Sequence, residues 1–254
     1  MATVISVTNQ KGGVGKTTTA VNVAYFLAKS GKRTLLIDFD PQGNASSGLG
    51  IDKQLLQQTM ADVVMETATL DQVVMPTAHK NLWLAPATPE LANTEVQLAQ
   101  AEHRFSRLKQ AITTSKTEYD FVIIDSPPSL SLLTVNGLIA AQYILLPVQA
   151  EFYALEGLGQ LLETMKLVRK AMNPTLELLG VLPTMLDGRT TLSGQVHEEI
   201  KKHFPGKVFT TTIPRNIRLA EAPSHGLPVG AYDRFSKGSR AYKALTKEVL
   251  ERVS

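Results

Sequence analysis

Residues 11–18 read Lys-Gly-Gly-Val-Gly-Lys-Thr-Thr, between a β-branched run at Val4–Thr8 and an apolar pattern of helical period. Small residues let a main chain wrap closely around a phosphate, and the N–H groups opening a helix face it with the positive end of the helix dipole. In a cradle formed by Gly12, Gly13, Val14, Gly15 and Thr18, Lys16 reaches β- and γ-phosphate oxygens and the Thr17 hydroxyl suits Mg²⁺. The loop departs from the common G-x-x-x-x-G-K-[ST] pattern, whose first glycine would fall at Gln10, and it adds a lysine, Lys11, at its start.

Two acidic segments close apolar runs. Asp38-Phe39-Asp40-Pro41-Gln42 follows Thr34–Ile37, and Asp125 ends Phe121–Ile124 ahead of Ser126-Pro127-Pro128. Carboxylates at the C-terminal edge of a parallel sheet lie in the crevice where such folds bind ligands. In register with a phosphate loop, Asp125 reads as a metal-holding carboxylate, directly or through water.

The elements that must position these groups are legible as apolar runs. Val4–Thr8, Thr34–Ile37, Phe121–Ile124, Tyr143–Leu146 and Leu178–Leu182 are continuously apolar rather than alternating, as strands covered on both faces are. Ala20, Val23, Ala24, Leu27 and Ala28 recur at helical spacing up to a stop at Gly31. Further helices are expected over Pro89–Thr114, Ser131–Ala140, Ala154–Met172, Thr191–His203 and Ser239–Val253. The alternation predicts βαβ units: an α/β fold with a mostly parallel, twisted sheet and helices on both faces. No linker or repeat interrupts it, so residues 1–254 are expected to form a single domain.

Composition removes several classes. The 254 residues include no cysteine, which excludes disulfides, a thiolate nucleophile and sulfur-held metal. Apolar runs of about five to eight residues fall short of the ~20 that span a bilayer, and the N-terminus lacks a signal-peptide pattern. A cytoplasmic protein is the expectation. The five histidines show no ligand or triad spacing and are expected at the surface. Charge is uneven: Arg189–Ser254 carries 12 Lys/Arg against 6 Asp/Glu, whereas the first 188 residues carry 14 against 17. A basic C-terminal quarter suggests contact with a polyanion.

The glycine loop resembles the deviant Walker A box of the ParA/MinD superfamily of P-loop ATPases, and the similarity runs through nearly the whole chain. The resemblance implies a P-loop NTPase fold, ATP with Mg²⁺, and ATP hydrolysis. It assigns Lys11 to reaching across an ATP-sandwich homodimer, Asp40 to positioning the attacking water, and Asp38 to the metal's outer shell. Asp40–Gly50, Pro147–Glu151, Leu155–Gly157, Ile213–Asn216 and Glu221–Ser224 look like the chromosome-partitioning Soj/ParA branch. That branch implies that Pro214 and Asn216 border the adenine and that Arg189 and Arg218 contact double-stranded DNA without sequence preference. Lys201, Lys202, Lys207, Arg234, Lys237, Arg240 and Lys243 are further candidates. It also implies association with the nucleoid and a ParB-type centromere-binding partner whose basic N-terminal segment stimulates hydrolysis. With the first strand beginning near residue 3, no N-terminal helix-turn-helix, and hence no operator reading, is expected. The alternative is a MinD-like membrane-associated ATPase. Glu248 and Glu251 in the tail would be repelled by anionic lipid, so no membrane contact is expected. Metabolic ATPases sharing the loop need bridging cysteines or a second catalytic constellation, neither of which the sequence offers.

Overall fold

Strands without a polar face must be covered on both sides, and here they are. A computed structural model describes residues 2–150, 158–186 and 191–254. Their strands are β1 (Thr3–Val7), β2 (Thr34–Asp38), β3 (Met75–Pro76), β4 (Leu82–Ala85), β5 (Phe121–Asp125), β6 (Tyr143–Gln149) and β7 (Glu177–Thr184). They form one sheet of order β3-β4-β2-β5-β1-β6-β7. Neighbours pair in parallel except β3 against β4, at the edge, where Pro76 is tolerated.

The helices are α1 (Lys16–Lys29), α2 (Asn44–Gly48), α3 (Met60–Val64), α4 (Leu70–Val73), α5 (Glu90–Leu98), α6 (Arg107–Thr114), α7 (Leu132–Ala140) and α8 (Leu158–Ala171). They continue with α9 (Thr191–His203), α10 (Ile217–Glu221), α11 (Val229–Tyr232) and α12 (Lys237–Val253). Side chains alternate between two cores. Leu35, Ile37, Val122 and Ile124 enter one with α3 and α5–α9. Leu36, Ile123, Ile5 and Val7 enter the other with α1 and α12. The mostly parallel sheet with helices on both faces stands as expected.

One expected helix is two. Pro89–Thr114 breaks between Leu98 and Arg107, with His103 in the left-handed region at φ 55°. No proline or glycine marks the break; tertiary packing imposes it. The turn lets Ala101, Phe105 and Leu108 all reach one core. Buried Asn136 of α7 stitches the freed backbone: its Nδ2 donates to the Arg104 carbonyl at 2.7 Å and its Oδ1 accepts from Leu108 N–H at 3.3 Å. The last helix starts at Lys237, two residues ahead of the expected Ser239, because the Ser236 hydroxyl caps it through Ser239 N–H. The Leu82–Ala85 strand, too short to stand out in the sequence, extends the sheet beyond β2.

Candidate nucleotide site

β1 ends at Val7 and the chain turns through the glycine loop into α1. Gly13 (φ 75°) and Gly15 (φ 88°) take left-handed conformations that other residues rarely adopt, which aims the loop N–H groups across the helix start. Neighbouring strands hold the loop. Asn9 donates to the Pro147 carbonyl at the end of β6 and accepts from Lys11 N–H, while the Thr184 hydroxyl of β7 donates to the Val14 carbonyl at 2.9 Å. Lys16 is buried and folded back, its Nζ donating to the Lys11 carbonyl at 2.9 Å. Burial lowers its pKa, with Asp125 and Asp40 nearby opposing that shift. β-carbons added at Gly12 or Gly13 would meet nothing within 4 Å, so the loop borders open space.

Three aspartates converge on this edge. Asp125 is wholly buried, and neither carboxylate oxygen has a well-formed hydrogen bond among the described residues. Burial, then the charge of Asp38, pushes its pKa well above the usual range, against the pull of the nearby Thr17 hydroxyl. Asp38 is equally buried but anchored: Ser46 N–H and Oγ both donate to its Oδ2 at 2.7 Å. Burial raises it to about 6 despite those bonds. Asp40 accepts from Gln42 N–H at 2.9 Å, the side-chain turn that Asp-Pro favours. An orphaned buried carboxylate beside a threonine hydroxyl supplies oxygen donors of the kind a hard divalent cation takes, with the lysine left to meet phosphate. Thr17 and Asp125 therefore fit Mg²⁺, with Asp38 held back by Ser46.

The remaining candidates divide. Pro214 bridges to Leu186 just past β7, and Arg215 N–H donates to the Leu186 carbonyl, so this loop reaches the same sheet edge as the glycine loop. Asn216 opens α10 with its Oδ1 buried and unpartnered. A cavity of about 250 Å³ joins Thr17 and Thr18 to α2 and to residues 219–229; Pro214 and Asn216 do not line it. Arg218 is engaged by two carboxylates, Glu221 at 2.8 Å and Asp233 at 3.4 Å. Arg189 lies outside the described residues. His79 packs edge-on against Tyr25 and His225 stacks on Tyr232, and no cluster of potential metal ligands containing histidine occurs among the described residues. The tail helix packs its Tyr242, Leu245 and Val249 into the core, and its Glu248 accepts from Thr210 and Thr211 N–H. No helix among the described residues is long and apolar enough to cross a membrane.

Sequence reasoning passed over Ser46, Asn9 and Gln10. Ser46 lies in the Asp40–Gly50 segment, where a serine carries no sign of a carboxylate partner. Gln10 stands where the common pattern has glycine, and its Nε2 is a buried donor without a partner at the mouth of the loop.

The fold and site define an α/β P-loop NTPase. The chain matches the AAA domain family over residues 2–178. It is 53% identical to the sporulation initiation inhibitor protein Soj of Bacillus subtilis over 98% of both chains. It is 46% identical to the chromosome-partitioning ATPase Soj of Treponema pallidum, over 96% of this chain and 95% of that one. In structure it resembles a cobyrinic acid a,c-diamide synthase from Mycobacterium smegmatis with bound ATP analogue and magnesium: TM-score 0.88, 36% identity, covering 100% of this chain and 96% of the other. The chain belongs to the Soj/ParA family of chromosome-partitioning ATPases.

Proposed function

We propose that the protein is an ATP-dependent DNA-partitioning ATPase that works as a nucleotide-controlled dimer. The observation that carries this reading is the Asp125 carboxylate, buried and unpartnered beside Lys16 and Thr17 at the mouth of the glycine loop. ATP binds through Gly12–Thr18, and Lys16 exchanges the Lys11 carbonyl for phosphate oxygens. Thr17 and Asp125 would hold Mg²⁺, whose chemistry there would be to neutralise phosphate charge. The unpartnered Asn216 Oδ1 is an acceptor suited to the amino group of adenine, with Pro214 beside it.

Asp40 orients the attacking water while Asp38 stays in the outer shell. Lys11 comes from the facing subunit and neutralises charge developing on the transferred phosphoryl group, as an arginine finger does. Nucleotide binding and dimerisation thereby become one coupled event. The dimer's basic surface, with Arg189 and Arg218, holds nucleoid DNA through sequence-independent phosphate contacts, and doubling the patch raises avidity. Hydrolysis dissolves the dimer, stimulated by a ParB-type centromere-binding protein. The higher identity to partitioning proteins supports this over a small-molecule ligase, which would need an acceptor site beside the loop.

Sedimentation velocity tests the reading. The protein should run as a monomer alone or with ADP, dimerise with Mg·ATP when Asp40→Ala blocks turnover, and carry duplex DNA only in that state. A monomer in saturating Mg·ATP with turnover blocked would overturn it.

A further inference from the structure

The C-terminal part of α1, residues 230–235 and α12 wall a surface groove of about 730 Å³. Its rims carry Lys29, Arg234, Arg240, Lys243 and Lys247, and among the described residues no aspartate or glutamate lines it. Arg240, Lys243 and Lys247 lie three and four apart on α12, so they form one cationic stripe facing Lys29 and Arg234. Of the five, Lys247 alone has a carboxylate partner among the described residues, Glu251 at 3.6 Å with both side chains largely in solvent.

Between the rims the groove is apolar, lined by Tyr25, Phe26 and Leu250. Gly230 closes one end; a β-carbon there would stand 2.6 Å from both aromatic rings, so the backbone must pass this close. Phe235 is 72% exposed beside it, with the Arg234 guanidinium 4.5 Å from its ring centre. A large apolar side chain left in water at the edge of an apolar groove marks a contact surface.

We infer that this groove docks an acidic amphipathic segment of a partner protein. The partner's apolar side chains lie on Phe26, Leu250 and Phe235, and its carboxylates meet the flanking cations. Both halves of the groove are needed for this choice. A phosphate backbone would satisfy the cations but leave the aromatic floor wet, and a neutral apolar segment would leave the cations unmatched. Helix-in-groove recognition joins the two kinds of contact in one ligand. The inference gives Arg234, Arg240 and Lys243, named above among the DNA candidates, to a protein partner instead, and it involves no nucleotide.

The test is fluorescence anisotropy on the nucleotide-free full chain, with a labelled amphipathic peptide bearing leucines on one helical face and glutamates on the other. Wild type should bind in the micromolar range. Arg240→Glu with Lys243→Glu should weaken binding roughly tenfold or more. Phe235→Ser should weaken it about threefold to tenfold, a loss that persists in high salt because apolar contact is not screened. All three side chains are exposed, so circular dichroism should be unchanged; Lys29→Glu on the opposite rim repeats the charge test should the α12 variant misfold. Absence of wild-type binding would overturn the inference. So would Phe235→Ser binding the peptide like wild type while a short DNA duplex or phosphatidylglycerol vesicles displace it, since the groove would then be a polyanion surface.

Discussion

Asp38 and Asp125 are register partners at the C-terminal ends of β2 and β5, both with no exposed surface. The fold treats the two carboxylates oppositely. Asp38 is tied down by two donors from Ser46, whereas Asp125 has no well-formed hydrogen bond, only the nearby Thr17 hydroxyl. Two like charges buried side by side raise each other's pKa, an arrangement unfavourable by itself and favourable once a cation arrives. Stability has been given up at one position to prepare a site.

The cost should be measurable at Asp125. A carboxyl whose pKa folding raises contributes fully below its unfolded value, about 4, and loses that contribution as pH climbs through the folded value. At neutral pH, where the unfolded carboxyl has lost its proton, burying the group therefore weighs against the native state. Asp125→Asn should raise the melting midpoint of the nucleotide-free protein by roughly 2–6 °C at pH 7, and the gain should shrink toward pH 4.5. The same variant should lose magnesium-dependent ATP binding. Calorimetry across that pH range checks the first expectation, and titration with and without magnesium the second.

Ser46 sets the state of the neighbouring carboxylate. Its N–H and hydroxyl stabilise ionised Asp38, whose pKa burial has raised to about 6. Removing the hydroxyl with Ser46→Ala leaves only the Ser46 and Asp40 N–H donors, so that pKa should rise further. ATP hydrolysis that needs ionised Asp38 should then show its acid limb displaced to higher pH, with the plateau rate recovered above neutrality. A pH–rate profile of the variant beside wild type reads the displacement directly.

Much of this site was legible because its chemistry needs fixed residue types at fixed spacing. The glycine loop, Asp38, Asp40 and Asp125 all sit at ends of apolar runs, where a pattern of period and punctuation is strongest. What escaped was tertiary. Nothing local to Pro89–Thr114 announces a break, since the residue that stabilises it, Asn136, lies some thirty positions on in another helix. Ser46 escaped because a serine in a loop-like stretch gives no sign of the aspartate eight residues back that it will hold. The resemblance that assigns Arg218 to DNA carries no sign of its ion pairs: Glu221 lies one helical turn on, but Asp233 reaches it from a different element.

Asn136 offers the corresponding stability test. With Asn136→Leu, the Leu108 N–H loses its partner inside the core and the Arg104 carbonyl loses one at the core's edge. Unsatisfied buried groups cost about 1–3 kcal/mol each, so the midpoint should fall by roughly 4–8 °C. Because no residue of α6 or α7 belongs to the proposed nucleotide site, ATP affinity below the transition should not change. Paired thermal melts and nucleotide titrations separate the two effects.

The two lysines of the loop should fail differently. Lys16 is buried within its own subunit against the Lys11 carbonyl, so Lys16→Ala should remove ATP binding itself. Lys11 is proposed to serve the facing subunit, so Lys11→Ala should keep monomer affinity within about threefold while dimerisation and turnover fall by roughly a hundredfold or more, the scale of a lost arginine finger. Equal loss of ATP affinity in both variants would place Lys11 in its own site.

Arg218 enters any DNA contact already engaged. Glu221 and Asp233 hold its guanidinium, and the Tyr232 hydroxyl donates to the same Glu221 oxygen at 3.3 Å. A phosphate must compete with those carboxylates and approach past their charge. Arg218→Glu should therefore weaken duplex binding by the ATP-bound protein and lower the slope of log affinity against log salt by about 1. Glu221→Gln should act the other way, strengthening binding about threefold to tenfold at low salt. Mere removal of negative charge would produce that gain with or without the arginine, so the decisive variant combines Glu221→Gln with Arg218→Ala. If Glu221 acts by holding Arg218, the gain disappears in that background; if it acts only through the general field, the gain remains. Equilibrium binding of wild type, Arg218→Ala, Glu221→Gln and the double variant to one duplex, at two salt concentrations, distinguishes these outcomes.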